Sequence, residues 1–155
     1  MTEFALTTSN AQLVDAADAA LRPPRILLAE DDPAMRNLLE ESLRDAGYDV
    51  TPTADGHTLL ERIGGTWLDE DYDLVISDVR MPGCSGFAAI EALRARDWST
   101  PIVFMTAFGS QRAHAEAHRL GATMLDKPFE VDELLQTVRA LVPPERYREG
   151  WRAVP

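Results

Sequence analysis

Along this chain, five short apolar runs alternate with five stretches in which apolar residues recur at helical spacing. Three of the runs are continuous rather than alternating, which is typical of strands that are covered on both faces. We therefore predict five strands, which span residues 26–29, 48–51, 74–77, 102–105 and 123–125.

The stretches between these strands show the 3.6-residue period of amphipathic helices. The ends of these predicted helices contain residues that favour helix starts and stops. Pro33 can occupy a first helical turn, where its missing N–H costs nothing, and Gly47 and Gly121 fall where helix C-caps belong. Five strand-helix units of this size predict an α/β fold with a doubly wound parallel sheet, flavodoxin-like (βα)5, in strand order 2-1-3-4-5.

Composition narrows the classes of partner. A chain of 155 residues with 45% apolar content suits one domain. Its net charge of −11 argues against direct binding to nucleic acid or to an anionic membrane surface, so we expect protein partners. The single cysteine, Cys84, excludes an internal disulfide, and the N-terminus lacks a signal-peptide pattern. These features favour a cytoplasmic protein.

Acidic residues follow two of the predicted strands. Strand 1 runs into Glu30 and Asp31, and strand 3 runs into Asp78. In this type of sheet, strands 1 and 3 are neighbours and the site lies outside their carboxyl ends. Three carboxylates crowded there would repel one another unless a cation bound, and oxygen ligands alone suit Mg²⁺. The sequence therefore predicts a metal site.

A hydroxyl and an ammonium group are expected at the same edge of the sheet. Strand 4 runs into Thr106, and strand 5 is followed by Lys127, the only lysine among fifteen basic residues. Carboxylates, a metal ion, a hydroxyl and an ammonium together suit a carboxylate nucleophile that attacks a phosphoryl group while the other groups neutralise its charge.

The motifs at these strand ends resemble, as a set, those of the receiver domain of bacterial two-component response regulators. The resemblance covers about residues 24–142. The motifs are Glu30-Asp31-Asp32-Pro33, Ser77-Asp78-Val79-Arg80-Met81-Pro82-Gly83, Met105-Thr106-Ala107, Gly121-Ala122 and Asp126-Lys127-Pro128-Phe129.

This resemblance implies a role for each matching residue. Asp78 would be the phosphoacceptor, and Thr106 and Lys127 would contact the phosphoryl oxygens. Glu30, Asp31, Asp78 and the backbone carbonyl of Arg80 would hold Mg²⁺. A histidine kinase or histidine phosphotransfer protein would supply the phosphoryl group. The domain would catalyse the transfer and later hydrolyse its own acyl phosphate, so it would not be a conventional enzyme.

The expected output is altered binding of a downstream protein. The resemblance points to the surface of the fourth helix, fifth strand and fifth helix, which could also support a homodimer. Ala107, Phe108 and Met124 are the candidate switch or partner residues. Met124 departs from the family pattern, which has an aromatic residue there, and this weakens the usual rotamer switch. Arg80 and Phe108 border the route of an attacking water. Because two bulky side chains there would shield the acyl phosphate, we predict slow autodephosphorylation.

We expect three regions: an N-terminal extension at residues 1–23, either a short helix or disordered, the receiver at 24–142, and a tail at 143–155 with no output domain. A stand-alone receiver is the first interpretation. The alternatives are a receiver excised from a longer regulator and an interaction or dimerisation module that is never phosphorylated. A haloacid-dehalogenase-type hydrolase is disfavoured because Arg80 stands where a second acid is needed. His114 and His118 are interpreted as a solvated or partner-facing pair.

Overall fold

The computed structural model describes residues 22–64, 72–95 and 99–144. The strands are β1 (Arg25–Ala29), β2 (Asp49–Thr53), β3 (Leu74–Asp78), β4 (Ile102–Thr106) and β5 (Thr123–Asp126). The helices are α1 (Pro33–Asp45), α2 (Gly56–Gly64), α3 (Gly86–Arg94), α4 (Gln111–Arg119) and α5 (Val131–Leu141). The predicted N-terminal extension up to residue 21 and the tail after residue 144 lie outside the described residues.

The five strands form one parallel sheet in the order β2-β1-β3-β4-β5, which confirms the predicted flavodoxin-like fold. β1 and β3 are in register, with Ala29 opposite Ser77. Glu30 and Asp78, each one residue further on, therefore leave the sheet at the same edge. Asp78 lies opposite Met105 of β4, so Thr106 follows at that edge too.

The core is divided between the two faces of the sheet because neighbouring residues of a strand point to opposite faces. Leu28 packs on the side of α1 and α5, where Leu39, Leu43, Leu134 and Val138 are buried. Leu27 packs on the opposite side, where the buried residues include Leu59, Ala89, Ile90, Leu93 and Ala117 from α2, α3 and α4. Burial on both faces explains why β1 is apolar throughout.

Helix ends follow the predicted signals. Pro33 lies in the first turn of α1, and the Asp32 side chain accepts a hydrogen bond from the Ala34 amide at 3.2 Å. Gly47 and Gly121 have positive φ values of 103° and 71°, a conformation that glycine adopts without steric cost.

Four strands are each one residue longer than predicted, and β2 is shifted along the chain. β2 spans Asp49–Thr53 rather than residues 48–51. Tyr48 lies before the strand because its buried ring points into the core and its hydroxyl donates a 2.7 Å hydrogen bond to the Val142 carbonyl. Pro52 is accommodated because β2 is an edge strand. In the part of the chain that the structure describes, no helix combines the length and apolar character needed to cross a membrane.

Candidate functional site

Three carboxylates meet at the carboxyl edge of the sheet. Oxygen atoms of Glu30, Asp31 and Asp78 all lie within 4.8 Å of one another. Glu30 and Asp31 directly follow β1, and Asp78 is the last residue of β3. Glu30 and Asp78 are buried, whereas Asp31 is exposed. The structure thus brings together the three acidic side chains that the sequence analysis selected.

Lys127 bridges two of these carboxylates. Its ammonium donates a 2.9 Å hydrogen bond to Glu30 Oε2 and a 2.8 Å hydrogen bond to Asp78 Oδ2. The side chain of Glu30 is 1% exposed and that of Lys127 is 18% exposed, so water screens the three charges weakly. One positive charge faces three carboxylates, which leaves the cluster with an excess of negative charge.

This environment shifts the proton affinities of the two most constrained groups. Burial raises the pKa of Glu30 above its ordinary value, and the nearby Asp78 charge acts in the same direction. Hydrogen bonds from Lys127 and from the Asp32 amide oppose these effects but do not cancel them. Burial lowers the pKa of Lys127, yet its hydrogen bonds to Asp78 and Glu30 outweigh burial, and the net shift is upward. Lys127 therefore remains an ammonium group.

Backbone groups hold Asp78 in place. The Arg80 amide donates a 3.2 Å hydrogen bond to Asp78 Oδ1, and the Val79 amide donates to the Met105 carbonyl at 2.9 Å. Gly86, at the start of α3, lies so close that an added Cβ would stand 2.5 Å from the Asp78 carbonyl oxygen. A glycine at this position lets α3 begin directly against the end of β3.

Thr106 and Lys127 are joined through their backbones. The Lys127 amide donates a 2.7 Å hydrogen bond to the Thr106 carbonyl, and the following Lys127–Pro128 peptide bond is cis. Thr106 is 2% exposed, and its hydroxyl oxygen accepts a 3.1 Å hydrogen bond from the Phe108 amide. A hydroxyl and an ammonium thus arrive together at the edge that carries the three acids.

The donor set fits a hard divalent cation. The three carboxylates offer only oxygen ligands, and among the described residues no histidine or cysteine joins their cluster. Oxygen-only ligands with excess negative charge are characteristic of magnesium sites. Arg80 stands two residues after Asp78, where its backbone carbonyl was expected to complete the ligand set.

The candidate switch residues lie in different environments. Ala107 is exposed, and Phe108 is 65% exposed although it is a large apolar side chain. The Arg80 guanidinium carbon lies 4.6 Å from the centroid of the Phe108 ring, a cation–π geometry. Met124 is partly buried and packs against the core cluster on the α2–α4 side, so it is a core neighbour rather than a surface residue.

Sequence reasoning missed one contact close to the site. His114 was considered with His118, but its Nε2 lies 3.0 Å from both carboxylate oxygens of Asp126, the residue before Lys127. Gly109 makes room for this pair, because an added Cβ there would overlap Asp126 Oδ1. The residues are far apart in sequence, and no helical or strand spacing relates them.

Cys84, His118 and His57 lie apart from the carboxylate cluster. Cys84 is a free, half-buried thiol whose sulfur lies 3.5 Å from the Ser85 carbonyl. His118 is exposed. His57 lies 3.7 Å from Glu61 on the exposed face of α2. Among the described residues, the carboxylate cluster consists of Glu30, Asp31 and Asp78 and includes none of these three side chains.

Comparison with known proteins agrees with this geometry. Residues 26–139 match the family model of the response regulator receiver domain. The chain is 37% identical over 130 residues to the transcriptional activator protein PfeR of Pseudomonas aeruginosa, covering 83% of the chain and 41% of PfeR. It therefore spans less than half the length of this relative.

Solved structures of similar proteins share the fold. Chemotaxis response regulator CheY4 of Vibrio cholerae superposes with a TM-score of 0.68 at 32% identity, over 77% of this chain and 99% of that one. Response regulator protein TrrA from Thermotoga maritima, in complex with Mg²⁺-BeF, gives a TM-score of 0.66 at 31% identity, over 77% of this chain and 99% of TrrA.

Proposed function

Because the chain belongs to the response regulator receiver domain family, we propose that Asp78 accepts a phosphoryl group from a histidine kinase or a histidine phosphotransfer protein. The contact that carries this proposal is the bridge from the Lys127 ammonium to Asp78 Oδ2 and Glu30 Oε2, at 2.8 and 2.9 Å. It holds a cation against the carboxylate that would become phosphorylated.

The proposed reaction balances as a transfer between two proteins. A carboxylate oxygen of Asp78 attacks the phosphorus atom, a P–O bond forms, and the P–N bond to the donor histidine breaks. The Arg80 amide, which donates to Asp78 Oδ1, orients the carboxylate for this attack. Lys127 and the hydroxyl of Thr106 would donate to the phosphoryl oxygens and stabilise the charge that develops there.

Magnesium is the cofactor that this site suits. Glu30, Asp31, Asp78 and the backbone carbonyl of Arg80 would hold the ion, which when bound supplies positive charge to the phosphoryl oxygens. The proposal is supported by the oxygen-only cluster within 4.8 Å and by the structure of the similar protein TrrA in complex with Mg²⁺-BeF. It also explains why an excess of buried negative charge is tolerated.

The proposed output is a change in protein binding. A phosphoryl group beside Thr106 and Lys127 would bias the loop that carries Ala107 and Phe108, and with it the surface formed by α4, β5 and α5. That surface would bind a downstream protein or a second copy of the chain. We place this activity in the cytoplasm, in a two-component or phosphorelay pathway, as the family resemblance implies.

A mass measurement tests phosphorylation directly. The protein is incubated with Mg²⁺ and acetyl phosphate, and intact mass is followed beside Asp78→Asn and a matched Asp45→Asn variant, which changes an exposed carboxylate on α1. We expect wild type and Asp45→Asn to gain one phosphoryl group and Asp78→Asn to gain none. Equal labelling of Asp78→Asn would contradict the assignment of the phosphoacceptor.

One alternative is a receiver-like interaction module that is never phosphorylated. If neither acetyl phosphate nor a phosphorylated histidine donor labels the folded, magnesium-loaded protein, this alternative replaces the proposal. The phosphorylated histidine protein is included as a second phosphoryl source, because a receiver that depends on its kinase is not labelled by acetyl phosphate alone.

A further inference from the structure

A cavity of about 420 Å³ lies beside the carboxylate cluster, between the loop after β3, the start of α3 and the first turns of α4. Its volume falls within the range of small-molecule binding sites. The lining residues are Val79, Arg80, Phe87, Thr106, Phe108, Ser110, Arg112, Ala113 and Glu116.

Two arginines of this cavity differ from the other described arginines. Within residues 22–64, 72–95 and 99–144, the guanidinium groups of Arg80 and Arg112 have no hydrogen bond or ion pair. Most of the other described arginines have such partners, for example Arg22 with Asp73 at 2.8 Å and Arg44 with Glu40 at 2.8 Å. In a chain of net charge −11, two guanidiniums that face one cavity without a hydrogen-bonded carboxylate indicate an anionic ligand.

The other walls favour a flat apolar group next to that anion. Phe108 is 65% exposed and already carries the Arg80 guanidinium on its ring at 4.6 Å. Phe87 is fixed by an edge-to-face contact with Phe104, with ring centroids 4.8 Å apart. Two phenyl rings and Val79 offer a surface on which an aromatic ring can pack.

The cavity wall has one acidic residue, Glu116, but this residue does not cancel the preference for an anionic ligand. Glu116 accepts a 3.1 Å hydrogen bond from Arg119, and this contact is the main cause that lowers the pKa of Glu116 below its ordinary value, with smaller contributions from the Arg119 and Arg112 charges. The Glu116 carboxylate is therefore paired mainly with Arg119. Arg80 and Arg112 keep donors for a ligand.

We propose that this cavity binds a small aromatic carboxylate, whose anionic group pairs with Arg112 and Arg80 and whose ring packs between Phe108 and Phe87. The ligand would lie against Thr106 and Arg80, next to the cluster around Asp78. This inference goes beyond the proposed phosphoryl transfer and does not depend on it, because binding is measured with unphosphorylated, metal-free protein.

The experiment is a titration of isotope-labelled protein with benzoate and phenylacetate, followed by amide NMR shifts. Benzamide, a neutral molecule of the same shape as benzoate, reports the contribution of the ring alone. We expect saturable shifts centred on Phe108 and Ala113, with dissociation constants of about 5 mM or tighter for ligands of this size. Benzamide is expected to bind about tenfold more weakly than benzoate.

Matched variants test the role of the guanidinium groups. Arg112→Gln is expected to weaken benzoate binding about tenfold, whereas Arg44→Gln, the same change on α1, leaves it unchanged. Absence of saturable shifts with both carboxylates would overturn the proposal. So would equal binding of benzamide and benzoate, or unchanged binding by Arg112→Gln. Any of these results leaves phosphoryl transfer to Asp78 untouched.

Discussion

The Arg80 guanidinium carbon lies 4.6 Å from the centroid of the Phe108 ring, so these two side chains connect the loop after β3 with the loop after β4. Arg80 stands two residues after Asp78, and Phe108 stands two residues after Thr106. The pair thus joins the two loops that follow Asp78 and Thr106. A cation–π contact of this kind at a partly exposed position contributes about 0.5–1 kcal/mol.

The first prediction concerns the lifetime of the acyl phosphate. Replacing both residues, Arg80→Ala with Phe108→Ala, should open the route of an attacking water and shorten the phosphoryl half-life by about threefold or more, or roughly 0.7 kcal/mol of barrier. The half-life is measured by intact mass after removal of the phosphodonor. Leu141→Ala, at another exposed apolar residue, is the control. An unchanged half-life in the double variant would contradict the shielding role.

The second prediction concerns the stability of the charge cluster. Lys127→Ala removes the cation that bridges Glu30 and Asp78 and leaves their carboxylates facing each other. In EDTA, we expect the free energy of unfolding to fall by about 2 kcal/mol, less than for a fully buried pair because Lys127 retains some exposure. Urea denaturation measures this value.

Its control is Arg119→Ala, which removes a cation from exposed ion pairs with Glu91 and Glu116. Exposed ion pairs of this kind contribute little to stability. An equal loss of unfolding free energy in the two variants would contradict the prediction, because Lys127 would then stabilise the protein no more than a surface cation does.

The third prediction concerns metal removal. Magnesium at tenfold its dissociation constant should stabilise the folded protein by about 1.4 kcal/mol, because a ligand that binds only the native state shifts the unfolding equilibrium. Addition of EDTA should remove this gain. Thermal unfolding at several Mg²⁺ concentrations measures the effect.

Two neighbouring residues provide a matched comparison for this effect. Asp31→Asn should weaken the magnesium response because Asp31 belongs to the carboxylate cluster. Asp32→Asn makes the same charge change one residue later, and asparagine can still cap α1 as Asp32 does through the Ala34 amide. A response lost equally in both variants would indicate diffuse charge screening instead of a site.

The fourth prediction concerns acid stability. The Thr58 amide donates a 2.7 Å hydrogen bond to the Asp55 carboxylate, and this is the largest effect that lowers the pKa of Asp55 below its ordinary value of 3.8. A hydrogen bond from the Thr58 side chain acts in the same direction. A carboxyl group whose pKa is lower in the folded state stabilises the protein above its unfolded pKa, and this contribution disappears as pH falls through the folded pKa. Part of the acid sensitivity below about pH 4 should therefore belong to Asp55.

The measurement is the free energy of unfolding between about pH 2.5 and pH 7, a range that spans the ordinary carboxyl pKa values. Asp55→Asn should flatten the acid part of this curve, since asparagine caps α2 without titrating. Asp45→Asn, at a carboxylate that has no hydrogen bond in the part of the chain that the structure describes, should follow the wild-type slope. Parallel curves for all three proteins would contradict the prediction.

Much of the fold was predictable because it depends on local patterns. Continuous apolar runs and helical periods set the five strands and five helices, and right-handed crossovers then limited the strand order. The first residue of β2 was not predictable in this way. Tyr48 belongs by composition to the strand, but its hydroxyl reaches the Val142 carbonyl, far away in the sequence.

The contacts of the candidate site likewise include some that local patterns predict and some that they do not. Four site residues were predictable because each ends or directly follows a strand at the same edge of the sheet: Glu30, Asp78, Thr106 and Lys127. The contact between His114 and Asp126 was not, because it depends on how α4 is rotated against β5 and on the room that Gly109 leaves. Periodicity defines the face of a helix, but it does not define which side chain it meets across a loop.

The edge strand β2 also bears on how copies of this chain can associate. Pro52 has no amide proton, so this edge offers an interrupted row of donors to an approaching strand. At the opposite edge, β5 has only four residues. Extension of the sheet from one molecule into the next is disfavoured at both ends, which protects the protein from edge-to-edge aggregation and leaves self-association to side-chain surfaces.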